Sequence, residues 1–139
     1  MGRVLALDLG ARRIGVAVSD PGGVLASPLG MVERHSRDRA VDHGRIAASV
    51  AEHGAERVVV GLPLSLDGRV GPAARTILEE VDELRDVLGV PVDTYDERFT
   101  TVTAARHLRE AGVKSRARTA VVDEAAATVL LQAWLDGHR

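Results

Sequence analysis

Val4-Leu5-Ala6-Leu7-Asp8-Leu9-Gly10 is an apolar run broken near its end by one carboxylate. Too short for an independent helix, it reads as a β-strand buried on both faces. An ionised carboxylate in such surroundings is costly unless its charge is compensated. A cation does this, supplied by an arginine or by a metal. The competing account makes Asp8 a cap for the backbone amides of the Gly10–Arg13 turn. The choice rests on where the other carboxylates fall.

Working outward, Arg3 to Gly10 is the first strand and Arg13 to Ser19 the second, joined through Gly10-Ala11-Arg12 as an antiparallel hairpin. Asp20-Pro21-Gly22-Gly23 turns the chain into a third strand, Val24 to Glu33. Pro28 cannot donate to a ladder on both sides, which places it at an edge or a bulge and makes this the expected outer strand. A helix from Arg37 to Glu52, with Val41, Ile46 and Val50 on its apolar side, stops at His53-Gly54. A helical crossover makes the fourth strand, Arg57 to Gly61, parallel to the first. Gly71-Pro72 then starts a helix in which Ile77, Val81, Leu84 and Leu88 recur at helical spacing. Val90 to Tyr95 is the fifth strand. A helix from Thr100 or Thr101 to Ala111, a linker from Val113 to Thr119 and a last helix from Ala120 to Asp136 complete the chain. The expected architecture is α/β, with a five-stranded mixed sheet of order 3-2-1-4-5: strands 1 to 3 antiparallel, strands 1, 4 and 5 parallel, helices on both faces.

The 139 residues suit one domain, 1–139. There is no cysteine, which excludes disulfides and thiolate metal sites and is compatible with a reducing cytoplasm. A strand opening at residue 3 leaves no room for a signal peptide, and no apolar run approaches a membrane span. The formal charge of -2 hides a segregation. Residues 77–97 hold eight acids against Arg85, whereas residues 98–122 hold Arg98, Arg106, Arg109, Lys114, Arg116 and Arg118 against Glu110. An ordinary solvated helix face accounts for most of residues 79–86. The basic stretch suits phosphate.

In open α/β sheets ligands gather beyond the carboxyl ends of the parallel strands. Asp8, the Gly61-Leu62-Pro63 loop and Asp96-Glu97-Arg98 all fall there. Asp123, at the opening of the last expected helix, shares a stripe with Ala127, Leu130 and Trp134. It is read either as a complement to the helix dipole or as an inward acid that shares a cation with Asp8 and Glu97. Converging carboxylates without His or Cys suit Mg²⁺ or Mn²⁺. One or two such ions, a pair lying roughly 4 Å apart, support in-line phosphodiester hydrolysis. Topology alone leaves Asp96 and Asp20 as candidates beside Glu97.

Asp8-Leu9-Gly10, Arg13-Ile14-Gly15-Val16-Ala17-Val18-Ser19-Asp20, Val60-Gly61-Leu62-Pro63 with Asp67-Gly68, Asp96-Glu97-Arg98-Phe99-Thr100-Thr101, and Asp123 with Ala125-Ala126 and Leu130-Leu131-Gln132 together resemble the YqgF family, in order and spacing over nearly the whole chain. The resemblance implies an RNase H-like fold and a nuclease whose catalytic, metal-holding triad falls on Asp8, Glu97 and Asp123. It points to 5′-end maturation of precursor 16S rRNA, with branched DNA of the Holliday-junction type as the alternative substrate. A homodimer is left open. Arg12, Arg13, Arg98, Lys114, Arg116 and Arg118 are the expected nucleic-acid contacts. Only Tyr95, Phe99 and Trp134 are aromatic, so recognition through phosphate, sugar hydroxyl and shape is expected rather than base stacking. A non-catalytic ribosome-assembly or nucleic-acid-binding factor is the reading from another class. An actin-like or sugar-kinase ATPase would need a second domain of this type to close its cleft.

Overall fold

The computed structural model describes residues 2–35, 38–100 and 116–138, the stretch 116–124 by its backbone alone. Its strands are β1 (Arg3–Leu9), β2 (Arg13–Ser19), β3 (Ala26–Glu33), β4 (Ala55–Leu62) and β5 (Val92–Asp96). They form one sheet of order β3-β2-β1-β4-β5, antiparallel across β3-β2-β1 and parallel across β1-β4-β5, as the sequence predicts. The described helices are α1 (Arg39–His53), α2 (Pro72–Val87) and α3 (Arg116–Gly137), with a 3-10 turn at Glu97–Phe99. The helix expected from Thr100 or Thr101 to Ala111 lies outside the described residues.

Local chemistry accounts for most of these ends. The Asp38 carboxylate caps α1 by accepting from Ala40 N at 2.9 Å, and Gly54 closes it in the left-handed conformation (φ 60°). Pro72 sits in the first turn of α2. β3 starts two residues later than expected because the Asp20 carboxylate holds the amides of Val24 and Leu25, each at 2.8 Å, in the preceding turn. Pro28 does lie on the edge strand. The β2–β3 register slips there, leaving Leu29 as an extra residue between the Val16–Gly30 and Ala17–Pro28 pairs.

Three expectations need correction. The last helix already includes Arg116, inside the stretch read as a linker, and Arg116-Ala117-Arg118 are strong helix formers with no breaker among them. Asp123 therefore lies at least two turns inside α3 rather than at its opening. Val41 is 39% exposed, and Asp42 and His43 are buried in its place. Glu80, assigned to a solvated acidic face, is 2% exposed.

The sheet's two faces differ in side-chain size, and this positions the site. Leu5, Leu7 and Leu9 of β1 and Val58, Val60 and Leu62 of β4 pack with Ile46 of α1 and Ile77, Val81 and Leu84 of α2. The alternate residues Val4, Ala6, Ala17 and Val59 pack against Ala126, Ala127, Leu130, Leu131 and Trp134 of α3. Small residues there bring α3 close to the strands. Gln132 pins it further, accepting from Ala26 N at 3.0 Å and donating to Val24 O at 2.9 Å. Trp134 shares a recess with Arg3 and Val4 at the amino ends of the strands, whereas Leu130 reaches Gly61 near the carboxyl end of β4. The helix therefore runs antiparallel to β1 and β4, its earlier turns leading towards the carboxyl rim. Ala6→Leu should push α3 off the sheet and lower stability by about 1–3 kcal/mol, read as a lower midpoint in urea denaturation.

Candidate metal and nucleic-acid site

Side chains two apart on a strand share a face, so Asp8 continues the Val4–Ala6 side of β1, under α3. It is 1% exposed. The turn after it is tight. Gly10 N–H donates to the Asp8 backbone carbonyl at 3.0 Å, so that amide is satisfied by main chain rather than by the Asp8 carboxylate. A Cβ on Gly10 would lie 2.5 Å from the Arg13 carbonyl oxygen, which makes glycine necessary for the close approach.

Glu97, also 1% exposed, lies just past β5 and leans back over β4. A Cβ built on Gly61 would stand 2.5 Å from Glu97 Oε1 and 3.1 Å from Leu130 Cδ2. The missing side chain at Gly61 is therefore the space that the Glu97 carboxylate fills beneath α3. Gly61 is level with the end of β1, since Leu7 pairs with Val60 across the parallel ladder. Asp8 and Glu97 thus face the same side of the sheet, at the same rim.

The neighbouring candidates separate cleanly from Glu97. Asp96 accepts from Arg98 N at 2.9 Å and from the Arg98 guanidinium at 2.6–3.1 Å, and these hydrogen bonds hold its carboxyl below the usual carboxylate range. Asp20 serves the β2–β3 turn, at the opposite end of β1. Arg98 also donates to Leu66 O at 3.3 Å and lies against Gly68, bracing the loop between β4 and α2. Arg12 is exposed in the hairpin turn, and Arg13 lies 3.8 Å from Glu33. Lys114 lies outside the described residues, as do the side chains of Arg116, Arg118 and Asp123. Among the described residues no three His, Cys, Asp or Glu side chains form a metal-holding group. Asp8 and Glu97 nevertheless fit a hard divalent cation: both are carboxylates, both are buried, and Gly61 leaves room for oxygen donors where a side chain would stand.

On the other face lies a polar network that sequence reasoning missed. Arg34 donates from Nη1 and Nη2 to Glu80 at 2.9 and 2.8 Å, and from Nε to the Gly10 carbonyl at 2.6 Å. His43 Nε2 meets the same Glu80 at 2.8 Å. Asp42 lies 3.8 Å from Arg34 and accepts from His35 N at 2.8 Å. Burial pushes the Glu80 carboxyl up, but hydrogen bonds from Arg34 and His43 outweigh this and leave it below its ordinary value. The only signal in the sequence was helical phase: Glu80 lies between Ile77 and Leu84 on the inward stripe of α2.

The sequence model of the RuvX family, described as Holliday junction resolvase, matches residues 2–137. The chain belongs to the RuvX family. A relative from Mycobacterium ulcerans is 49% identical over 99% of this chain and 81% of its own length, and one from Roseiflexus is 44% identical over 99% and 96%. Both are named "Putative pre-16S rRNA nuclease". Among solved structures, Thermus thermophilus RuvC bound to a Holliday junction superposes with a TM-score of 0.58 at 20% identity, covering 98% of this chain and 95% of RuvC. Fowlpox virus resolvase gives 0.56 at 9%, covering 98% of each chain. These likenesses establish the RuvC-type, RNase H-like fold of the RuvX-family chain, and the family is one of nucleases.

Two outcomes follow from the geometry of this RuvX-family site. Gly61→Ala should displace the Glu97 carboxylate and cost about 1–3 kcal/mol, seen as a lower melting temperature and a shifted Glu97 in a crystal structure of the variant. Glu80→Gln should destabilise the protein at neutral pH. Because the folded pKa of Glu80 is depressed, its contribution is complete above the ordinary value of 4.5 and fades as pH falls through the lower folded value. The gap between wild type and variant in urea titrations should therefore close as the solution is acidified below that value.

Proposed function

We propose that residues 1–139 act as one RNase H-like nuclease domain, a divalent-metal-dependent endonuclease for structured nucleic acid that matures the 5′ end of precursor 16S rRNA in the cytoplasm. The observation that carries this reading is the burial of Asp8 and Glu97 on one face at the carboxyl rim of the sheet, with Gly61 giving Glu97 its place. Asp123 is the third carboxylate of the proposal. Helical periodicity returns its position to the stripe of Ala127, Leu130 and Trp134, on the helix that packs against Val4 and Ala6, whose face of β1 Asp8 shares. The names of the curated relatives supply the substrate.

In this reading Asp8, Glu97 and Asp123 hold Mg²⁺ or Mn²⁺, as one or two ions, and also carry the catalytic role. When bound, the metal supplies Lewis-acid activation of water and charge stabilisation at the scissile phosphate. The chain's own residues set the geometry. The Gly10 turn fixes the backbone at Asp8, and the Gly61 gap admits Glu97. Arg12 and Arg13 on the hairpin, with Lys114, Arg116 and Arg118 near the start of α3, are the proposed phosphate contacts. Arg98 joins them at the rim, its guanidinium oriented by Asp96. No described helix is long and apolar enough to cross a membrane. Branched DNA is the second reading, favoured by the family's description and by the fold shared with the junction-bound RuvC.

Asp8→Asn, Glu97→Gln and Asp123→Asn should each abolish cleavage of precursor 16S rRNA and weaken Mn²⁺ binding in calorimetry, with circular dichroism unchanged. Full cleavage by these folded variants would overturn the nuclease reading. Competition between precursor rRNA and a four-way junction at one salt concentration decides the substrate, since electrostatic binding depends steeply on ionic strength.

A further inference from the structure

We propose that Arg34 is a positioning residue for the Asp8 carboxylate, holding the β1–β2 turn in place from the opposite face of the sheet. The proposal rests on the metal-nuclease reading given above. A continuous chain of bonds carries it. Asp8 O accepts from Gly10 N at 3.0 Å, Gly10 O accepts from Arg34 Nε at 2.6 Å, and Arg12 O accepts from Arg34 N at 2.9 Å. Arg34 thus holds the carbonyls on both sides of Ala11 at once. Its guanidinium is oriented in turn by both oxygens of Glu80 on α2, and Glu80 is oriented by His43 on α1.

The layout gives the network a task beyond stability. A buried ion pair is commonly no more stabilising than apolar residues of the same volume, so burial of Arg34 and Glu80 is not explained by stability alone. The last β1–β2 pair is Leu9–Ile14, and beyond it the hairpin turn has no further partner in that ladder. The Arg34 bonds extend its support to two helices that pack on the opposite face of the sheet from Asp8. Metal ligands must be held within a fraction of an ångström, and the groups orienting them commonly change affinity by about 10- to 100-fold when removed.

The test uses Arg34→Met/Glu80→Met, which removes both charges together, and Arg34→Lys, which retains a charge for Glu80 but cannot make the Glu80 and Gly10 bonds simultaneously. Urea denaturation reports folding, calorimetry with Mn²⁺ reports the site directly, and amide hydrogen exchange reports the Gly10–Arg13 turn. Steady-state cleavage separates kcat from KM. The double variant should fold, exchange faster at Gly10 to Arg13, bind Mn²⁺ about 10-fold more weakly and lose kcat in step, with KM for the nucleic acid unchanged. Arg34→Lys should fall between it and wild type. Wild-type Mn²⁺ affinity and kcat in either folded variant would overturn the positioning role, as would a purely structural outcome in which KM rises and kcat stays. If the wild-type protein binds no Mn²⁺, the metal-nuclease reading itself fails, and this proposal with it.

Discussion

Two acid side chains removed from water on one face of a sheet are the constraint around which the rest of the structure is arranged. Asp8 and Glu97 are each 1% exposed, in a setting that strongly penalises charge without compensation. That arrangement requires a lid close enough to exclude solvent and a floor with space for oxygen atoms. The lid is α3, which approaches because Ala6, Ala17, Ala126 and Ala127 keep the contact thin. The floor is Gly61, where any side chain would collide with Glu97. The leucines of β1 and β4, with Val58 and Val60, are directed to the other face, where α1 and α2 provide the ordinary core.

Much of this was legible in the sequence, for identifiable reasons. The continuous apolar strands, the hairpin turn and the two crossovers left few topologies, and the observed strand order is the expected one. Pro28 marked the edge because a missing N–H leaves few places in a sheet. The glycine at position 61 could be quoted as part of a motif, but its reason could not. That reason is a contact with a carboxylate 36 residues away, which depends on how β5 ends. Topology did not separate Glu97 from Asp96, because their different settings turn on which of two adjacent acids the Arg98 guanidinium engages; it engages Asp96.

The charged residues were the least legible. Eight acids between residues 77 and 97 look like one solvated patch, yet they divide among separate tasks. Glu80 is buried with Arg34 and His43, Asp93 pairs with Arg57, Asp96 binds Arg98, and Glu97 faces α3. Composition records the excess of negative charge and nothing of this division, since the partners come from elements far apart in the chain. The same holds at α1, where Asp42 and His43 face inward while Val41 faces solvent. Polar partners there outweigh the apolar pattern that set the expected phase.

The irregular outer strand has a consequence for how copies of the protein behave at high concentration. Pro28 removes one main-chain donor from β3, and the extra Leu29 throws the following residues out of step. A ribbon interrupted in this way is a poor template for annealing by a neighbouring chain, so growth into fibrils or strand-swapped aggregates is disfavoured along that flank.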